Sequence, residues 1–303
     1  MRPLKPLYEI IADFEAHLLL ERGLSQNSIA SYGNDVRHLA DFLIDRGLQL
    51  NYVEASHLHD LMVLTHELGI SPRSQARMLS GIKAFFNFLL LEGYLDENPS
   101  EFIEAPKLSR DLPDVLSVEE IDAMIAAIPP DKDESLRNQA IIETLYGSGL
   151  RVSELVDARI SRLDLEESLL IVEGKGSKQR IVPVSPVANE LIREWLRQRA
   201  GMKVKPEGAD IIFLNRRGAP LTRVMIFYII KQLAGLAGIK KTVSPHTMRH
   251  SFATHLLEGG ANLRAIQEML GHETIATTEL YLHLDRSRLR SELLLHHPHY
   301  SGK

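Results

Sequence analysis

The stretch NPSEFIEAPKLSRDLPDVLS, residues 98–117, carries Pro99, Pro106 and Pro113 and holds neither a 3.6-residue nor a two-residue apolar period. Proline removes a backbone donor and clashes with the preceding helical turn, so no helix or central strand runs through this stretch. The chain is therefore expected to fold as two units joined by an extended linker: residues 1–104, a linker over 105–116, and residues 117–303. With 303 residues in all, each unit is long enough to bury a core of its own.

The first unit reads as helices. SQNSIASYGNDVRHLADFLIDRG places Ile29, Tyr32, Val36, Leu39 and Leu43 at spacings of three and four and stops at Gly47. SPRSQARMLSGIKAFFNFLLLEG opens on a capping Ser71 followed by Pro72, and its apolar stripe is Leu79, Ile82, Phe86 and Leu89. Arg73, Arg77 and Ser80 share a different face, which is either a solvated surface or a contact for a charged partner.

The second unit is mixed. Ser117 and Glu120 form a capping box. ESLRNQAIIETLYGSGLRVSELVDARI reads as helical with a glycine-rich interruption at Gly147 and Gly149, and two β-branched runs flank Gly174–Lys178 as a hairpin. DIIFLNRRGAPLT reads as a further short strand and turn, and helices dominate from Thr222 onward. The strands do not alternate with helices, which argues against a doubly wound parallel sheet. The expected class is mainly α with a small β-sheet, in two domains: an N-terminal helical domain and a C-terminal mixed α+β domain.

Cysteine is absent, which excludes disulfides, thiolate metal sites and a cysteine nucleophile. The N-terminal apolar pattern contains Asp13, Glu15 and Glu21, unlike a signal peptide or a membrane span. A cytoplasmic protein without membrane insertion is expected. The net charge of −5 hides an asymmetry: residues 171–303 hold 20 Lys+Arg against 11 Asp+Glu, residues 1–170 hold 15 against 29. Salt screens charges beyond about 8–10 Å, so a local basic surface can bind phosphates on an acidic protein.

SPHTMRHSFATHLLEGG places His246, Arg249 and His250 in the first two turns of a helix. A zinc pair at i and i+4 needs a glutamate beside the first histidine, and Thr247 stands there, so no metal is expected. GSGLR and GKGSK are glycine-rich but lack the spacing of a nucleotide phosphate loop. A phosphate clamp fits better, because a guanidinium offers a rigid fork of donors and keeps its charge. Arg249 and Arg151 are candidates for it, although either one alone is more often a surface or ion-pairing residue, with Glu154 one turn after Arg151 as a partner. In LGHETIATTELYLHL, His272 follows a helix-ending Gly271 and Tyr281 lies in a new helix. Taken singly, these are a dipole-complementing histidine and a core aromatic.

Taken in order, GLRVSEL, EGKGSKQRIVPV, SPHTMRHSFATHLL and LGHETIATTELYLHL resemble the tyrosine site-specific recombinases of the phage integrase family. The likeness covers nearly the whole chain and is greatest to the bacterial Xer branch, the XerD type in particular. The family pattern Arg, Lys, His-x-x-Arg, His/Trp, Tyr falls on Arg151, Lys175, His246, Arg249, His272 and Tyr281.

The resemblance implies that Tyr281 attacks a scissile DNA phosphate and forms a 3′-phosphotyrosyl link, with no cofactor. Arg151 and Arg249 would hold the phosphate oxygens, and Lys175 (with Lys178 as a rival) would be the general acid for the departing 5′-oxygen. His246 would assist proton transfer at the tyrosine, and His272 would hydrogen-bond the phosphate. Arg73, Arg77, Lys178 and Arg180 are the expected DNA contacts, which makes residues 1–104 a core-binding, SAM-like module. The implied partners are double-stranded DNA with a dif-like core site, a second Xer recombinase or further copies of the chain in a cyclic tetramer, and a septal DNA translocase. The implied role is resolution of chromosome dimers through a Holliday junction. Leu289, Leu293 and Leu294 in the terminal segment would dock on a neighbouring protomer. An integrase of a phage, integron or transposon is the alternative, as is a non-catalytic DNA-binding relative.

Overall fold

The computed structural model describes residues 5–106, 114–174, 179–271 and 284–301. Lys175, Lys178, His272 and Tyr281 lie outside the described residues. The chain divides into two compact units, Met1–Asp111 and Leu112–Lys303. Among the described residues the fold is mainly α with one small sheet, and no helix is long and apolar enough to cross a membrane.

The first unit contains α1 (Leu7–Leu20), α2 (Gln26–Asp45), α3 (Ala55–Glu67) and α4 (Pro72–Leu91). The starts of α2 and α4 are set locally: Ser25 and Ser71 accept the Ser28 and Ser74 N–H groups at 3.3 Å. The stripe Leu79, Ile82, Phe86 and Leu89 is buried, and Phe14 of α1 meets Phe85 of α4 edge-on at 5.3 Å. Asp35 of α2 is wholly buried against α4, where the absent side chain of Gly81 leaves it room. A Cβ at Gly81 would lie 2.7 Å from Asp35 Oδ2.

The second unit runs α5 (Val118–Ala126), α6 (Ser135–Ser148), α7 (Val152–Val156), β1 (Leu163–Asp164), β2 (Leu169–Glu173), β3 (Gln179–Pro183), α8 (Pro186–Ala200), α9 (Arg223–Leu236), α10 (Pro245–Glu258), α11 (Leu263–Leu270), α12 (Leu284–His296) and α13 (Pro298–Ser301). The sheet is antiparallel in the order β1-β2-β3, with Ile171 opposite Ile181. Helix α6 is the centre of the unit, buried at every residue from Ala140 through to Leu150 beyond its end. The capping box of Ser117 and Glu120 is present at the start of α5.

One expectation is corrected. DIIFLNRRGAPLT forms no strand; it makes only isolated bridges, Arg159↔Ile211 and Leu214↔Pro220. Its backbone is satisfied otherwise, through Ile212 N–H to Ala158 and Ile160 N–H to Asp210 at 2.9 and 2.8 Å, and Trp195 Nε1 donates to the Ile212 carbonyl.

The terminal segment packs on its own unit. Leu293 is fully buried and Leu289 packs against the same core, while Leu294 is 41% exposed. Of the three leucines expected to meet a neighbouring protomer, Leu293 is thus used within the chain.

Candidate active site

Helix α6 ends in a left-handed Gly149 (φ 58°), whose missing side chain admits the ring of Phe252 from α10. Only glycine combines that backbone with that close approach. Two residues later Arg151 caps α7, and its backbone N–H donates to Glu154 Oε2 at 2.8 Å. The carboxylate at the first turn of α7 is thereby aimed back at the arginine that precedes it.

Glu154 is the hub of a guanidinium cluster. Its oxygens accept Arg151 Nη1 at 2.9 Å and both terminal nitrogens of Arg180 at 2.5 and 2.8 Å, and Arg249 Nη1 lies 3.9 Å away. Burial acts most strongly and works to raise the Glu154 pKa, but the hydrogen bonds and charges of Arg180 and Arg151 outweigh it and hold the carboxyl below its ordinary value. Burial, then the adjacent Arg151 charge, push the Arg249 pKa down to about 10, so the guanidinium stays charged at neutral pH.

The end of α11 supplies the opposite wall. Its last carbonyls each meet one arginine: Met269 accepts Arg180 Nε at 2.9 Å, Leu270 accepts Arg249 Nη2, and Gly271 accepts Arg151 Nη2 at 3.1 Å. Arg249 Nη1 also donates to the Gly149 carbonyl at 2.6 Å. A helix C-terminus carries partial negative charge, which favours the cations placed there. Gly271 is left-handed (φ 63°), and a Cβ on it would sit 3.1 Å from Arg180 Cδ. The left-handed backbone favours glycine there, and a Cβ would press on the Arg180 side chain.

The sequence-predicted residues divide into those brought together and those elsewhere. Arg151 and Arg249 share the Glu154 carboxylate. His246 stands exposed on the first turn of α10, whose start is fixed by Ser244 accepting the Thr247 N–H at 3.2 Å, and Arg249 is buried one turn on. His250 is half-buried. Beside Arg151 opens a cleft of about 530 Å³, lined by Glu154, Arg159, Arg162, Glu173 and Gly174 among others, and Gly174 directly precedes Lys175 in the chain.

Arg180, expected as a DNA contact, spends its guanidinium on Glu154 and Met269, with its side chain 14% exposed. Sequence reasoning missed it as a member of the cluster; the signal was its position on the second hairpin strand, five residues beyond Lys175. Arg77, in the other unit, grips Asp35 with a two-pronged pair of 2.6 Å bonds and also donates to Ser31. Arg73 is exposed on α4.

The arrangement can hold a tetrahedral or pentacoordinate oxyanion. Positive charge exceeds negative in the cluster, the forks are preorganised, and burial strengthens them.

Comparison with known proteins adds to the geometry. Residues 114–288 match the phage integrase family, and residues 11–93 match the phage integrase N-terminal SAM-like domain. A tyrosine recombinase XerD of Chlorobaculum tepidum is 41% identical over 298 residues, covering 97% of this chain and 98% of that one. A tyrosine recombinase XerD of Listeria monocytogenes serotype 4b is 38% identical over 293 residues, covering 96% and 99%. The XerH site-specific recombinase bound to palindromic difH substrate, in a post-cleavage complex, shares the fold with a TM-score of 0.71 at 23% identity, covering 94% of this chain and 84% of that one.

Proposed function

The chain belongs to the phage integrase family of tyrosine recombinases, and from that premise we propose that Arg151, Lys175, His246, Arg249, His272 and Tyr281 form the active site with which it cleaves and rejoins DNA. The observation that carries the assignment is the convergence of Arg151 and Arg249 on one buried carboxylate at the end of α11. That helix end leads directly into His272.

In this reading the Tyr281 oxygen attacks the scissile phosphorus and its proton passes toward His246. A bond from tyrosine oxygen to phosphorus forms as the bond from phosphorus to the 5′-oxygen breaks. Lys175 gives that oxygen a proton, leaving a 3′-phosphotyrosyl link and a free 5′-hydroxyl. Free tyrosine titrates near pH 10, so a base beside it is required at neutral pH. The bond energy of the ester is kept in the covalent link, and attack by a 5′-hydroxyl reverses the step and rejoins a strand. Arg151 and Arg249 stabilise the charge on the non-bridging oxygens; one such donor is worth about 3–4 kcal/mol.

The two units divide binding from chemistry: the SAM-like unit, residues 1–104, grips the duplex, and residues 117–303 carry the reaction. The substrate is double-stranded DNA with a dif-like core site. The chain acts in a cyclic tetramer with a second Xer recombinase or with copies of itself, in the cytoplasm. Resolution of chromosome dimers through a Holliday junction, prompted by a septal translocase, is the role that follows.

A plasmid with two directly repeated dif-like sites tests this reading. Excision of the intervening segment by the chain, alone or with a second Xer recombinase, is the expected result. DNA binding without strand exchange under both conditions would refute it.

A further inference from the structure

The end of the chain carries titratable groups that the reaction does not use. His299 sits between two carboxylates from different helices: Nδ1 is 3.0 Å from Glu143 Oε2 on α6, and Nε2 is 3.0 Å from Asp122 Oδ1 on α5. An ionised carboxylate only accepts, so both ring nitrogens must donate, which only the imidazolium can do. The His299 side chain is 12% exposed and that of Glu143 6%, so solvent screens the inner pair little.

Neighbouring groups complete the lock. Tyr146 of α6 meets the His299 ring edge-on at 4.8 Å, and its hydroxyl bonds His255 Nδ1 of α10 at 2.7 Å. His297 is fully buried, 4.6 Å from the Tyr146 ring and 5.3 Å from that of Phe252. Glu119 of α5 acts on both Tyr146 and His255. Upstream, Leu293 is buried and Glu292 Oε2 accepts the Asn262 N–H at 2.9 Å.

We propose that His299 is a proton-dependent pin: as imidazolium it fastens the terminal segment, residues 289–301, onto its own domain, and on losing the proton it releases that segment. Helix α12 begins three residues after Tyr281. Resting on the active-site reading above, His299 is therefore also a positioning residue for that tyrosine.

The sign of the pH dependence follows. Burial lowers the His299 pKa, but the hydrogen bonds and charges of Glu143 and Asp122 prevail and raise it above the ordinary 6.5. Its contribution is complete below the unfolded value and is lost as pH rises through the raised one. His297 runs the other way. Burial, then the His299 and His255 charges, push its pKa down to about 3, so its contribution fades as pH falls below 6.5. Docking is strongest near neutrality.

Amide hydrogen exchange over residues 289–301 of the full chain, corrected for intrinsic rate between pH 6 and 9.5, tests the pin. Protection in the wild type should fall with pH, by up to about tenfold per unit, between the ordinary 6.5 and the raised value and should level off above it, the signature of one proton. His299→Arg keeps the charge and should flatten the profile, while His299→Gln should strip protection from the segment alone at every pH. A flat wild-type profile, or the same fall in His299→Arg, would overturn the pin. Covalent cleavage of a nicked duplex over the same range tests the positioning role: the ratio of wild type to His299→Arg should fall with docking, and a constant ratio would refute it. If no variant cleaves, wild type included, either alone or with a second Xer recombinase, the active-site reading fails and the exchange result still decides the pin.

Discussion

The carboxylate of Glu154 takes both terminal nitrogens of Arg180, at 2.5 and 2.8 Å, while accepting Arg151 on the same side chain at 2.9 Å. One buried anion thus sets the positions of two guanidinium groups that would otherwise repel each other, with a third 3.9 Å away.

Glu154→Gln removes the charge and keeps the shape. Because the carboxylate is buried and paired, the loss should cost about 3–5 kcal/mol of stability. Denaturant unfolding of the variant checks this, and a change below 1 kcal/mol would count against the hub. The folded pKa of Glu154 is depressed, so its contribution is present above the ordinary carboxylate value and is lost as pH falls through the folded one.

Arg249→Lys keeps a charge but loses the fork that reaches the Gly149 and Leu270 carbonyls. Strand cleavage should fall about 100- to 1000-fold. Duplex affinity should change little, since one phosphate contact among many is altered. Single-turnover cleavage and a binding titration separate the two effects.

Gly149→Ala and Gly238→Ala both place a side chain at positive φ, 58° and 70°. A Cβ at Gly238 meets nothing within 4 Å, whereas one at Gly149 runs into the Phe252 ring. The first variant should lose more stability than the second by at least about 1 kcal/mol, the scale of an overpacked core. Equal losses in thermal unfolding would contradict the packing argument.

Arg73→Ala and Arg77→Ala should differ in kind. If Arg73 contacts a phosphate, its removal should reduce the slope of log affinity against log salt by about 0.9 and leave stability unchanged. Arg77→Ala strands the buried Asp35, whose pKa burial already raises despite Arg77. It should destabilise the first unit by about 2 kcal/mol, less than a fully buried pair because half of Arg77 meets water. Salt-dependent binding and calorimetry on both variants check the contrast.

What was legible in the sequence was local. Ser71-Pro72, the Ser117–Glu120 box and Ser244-Pro245 each fix a helix start through neighbours within three residues, and all three caps form. The hairpin of β2 and β3 was legible for the same reason. Glu154 with Arg180 was not, because the pair joins residues 26 apart through the register of β3. The meeting of His299 with Asp122 spans 177 positions and depends on how the terminal segment packs. The failed strand within 210–222 shows the converse: β-branched residues favour extended backbone, but the neighbouring backbone gave it only bridges.

The most direct test of the account uses a nicked duplex with a dif-like core site, in EDTA and without ATP, run on denaturing gels. The nick lets the cleaved fragment leave and traps the covalent species. A DNA-linked band with wild type and none with Tyr281→Phe is the predicted result. A band of equal strength in both would show that another group attacks the phosphate, and the assignment of Tyr281 would fall.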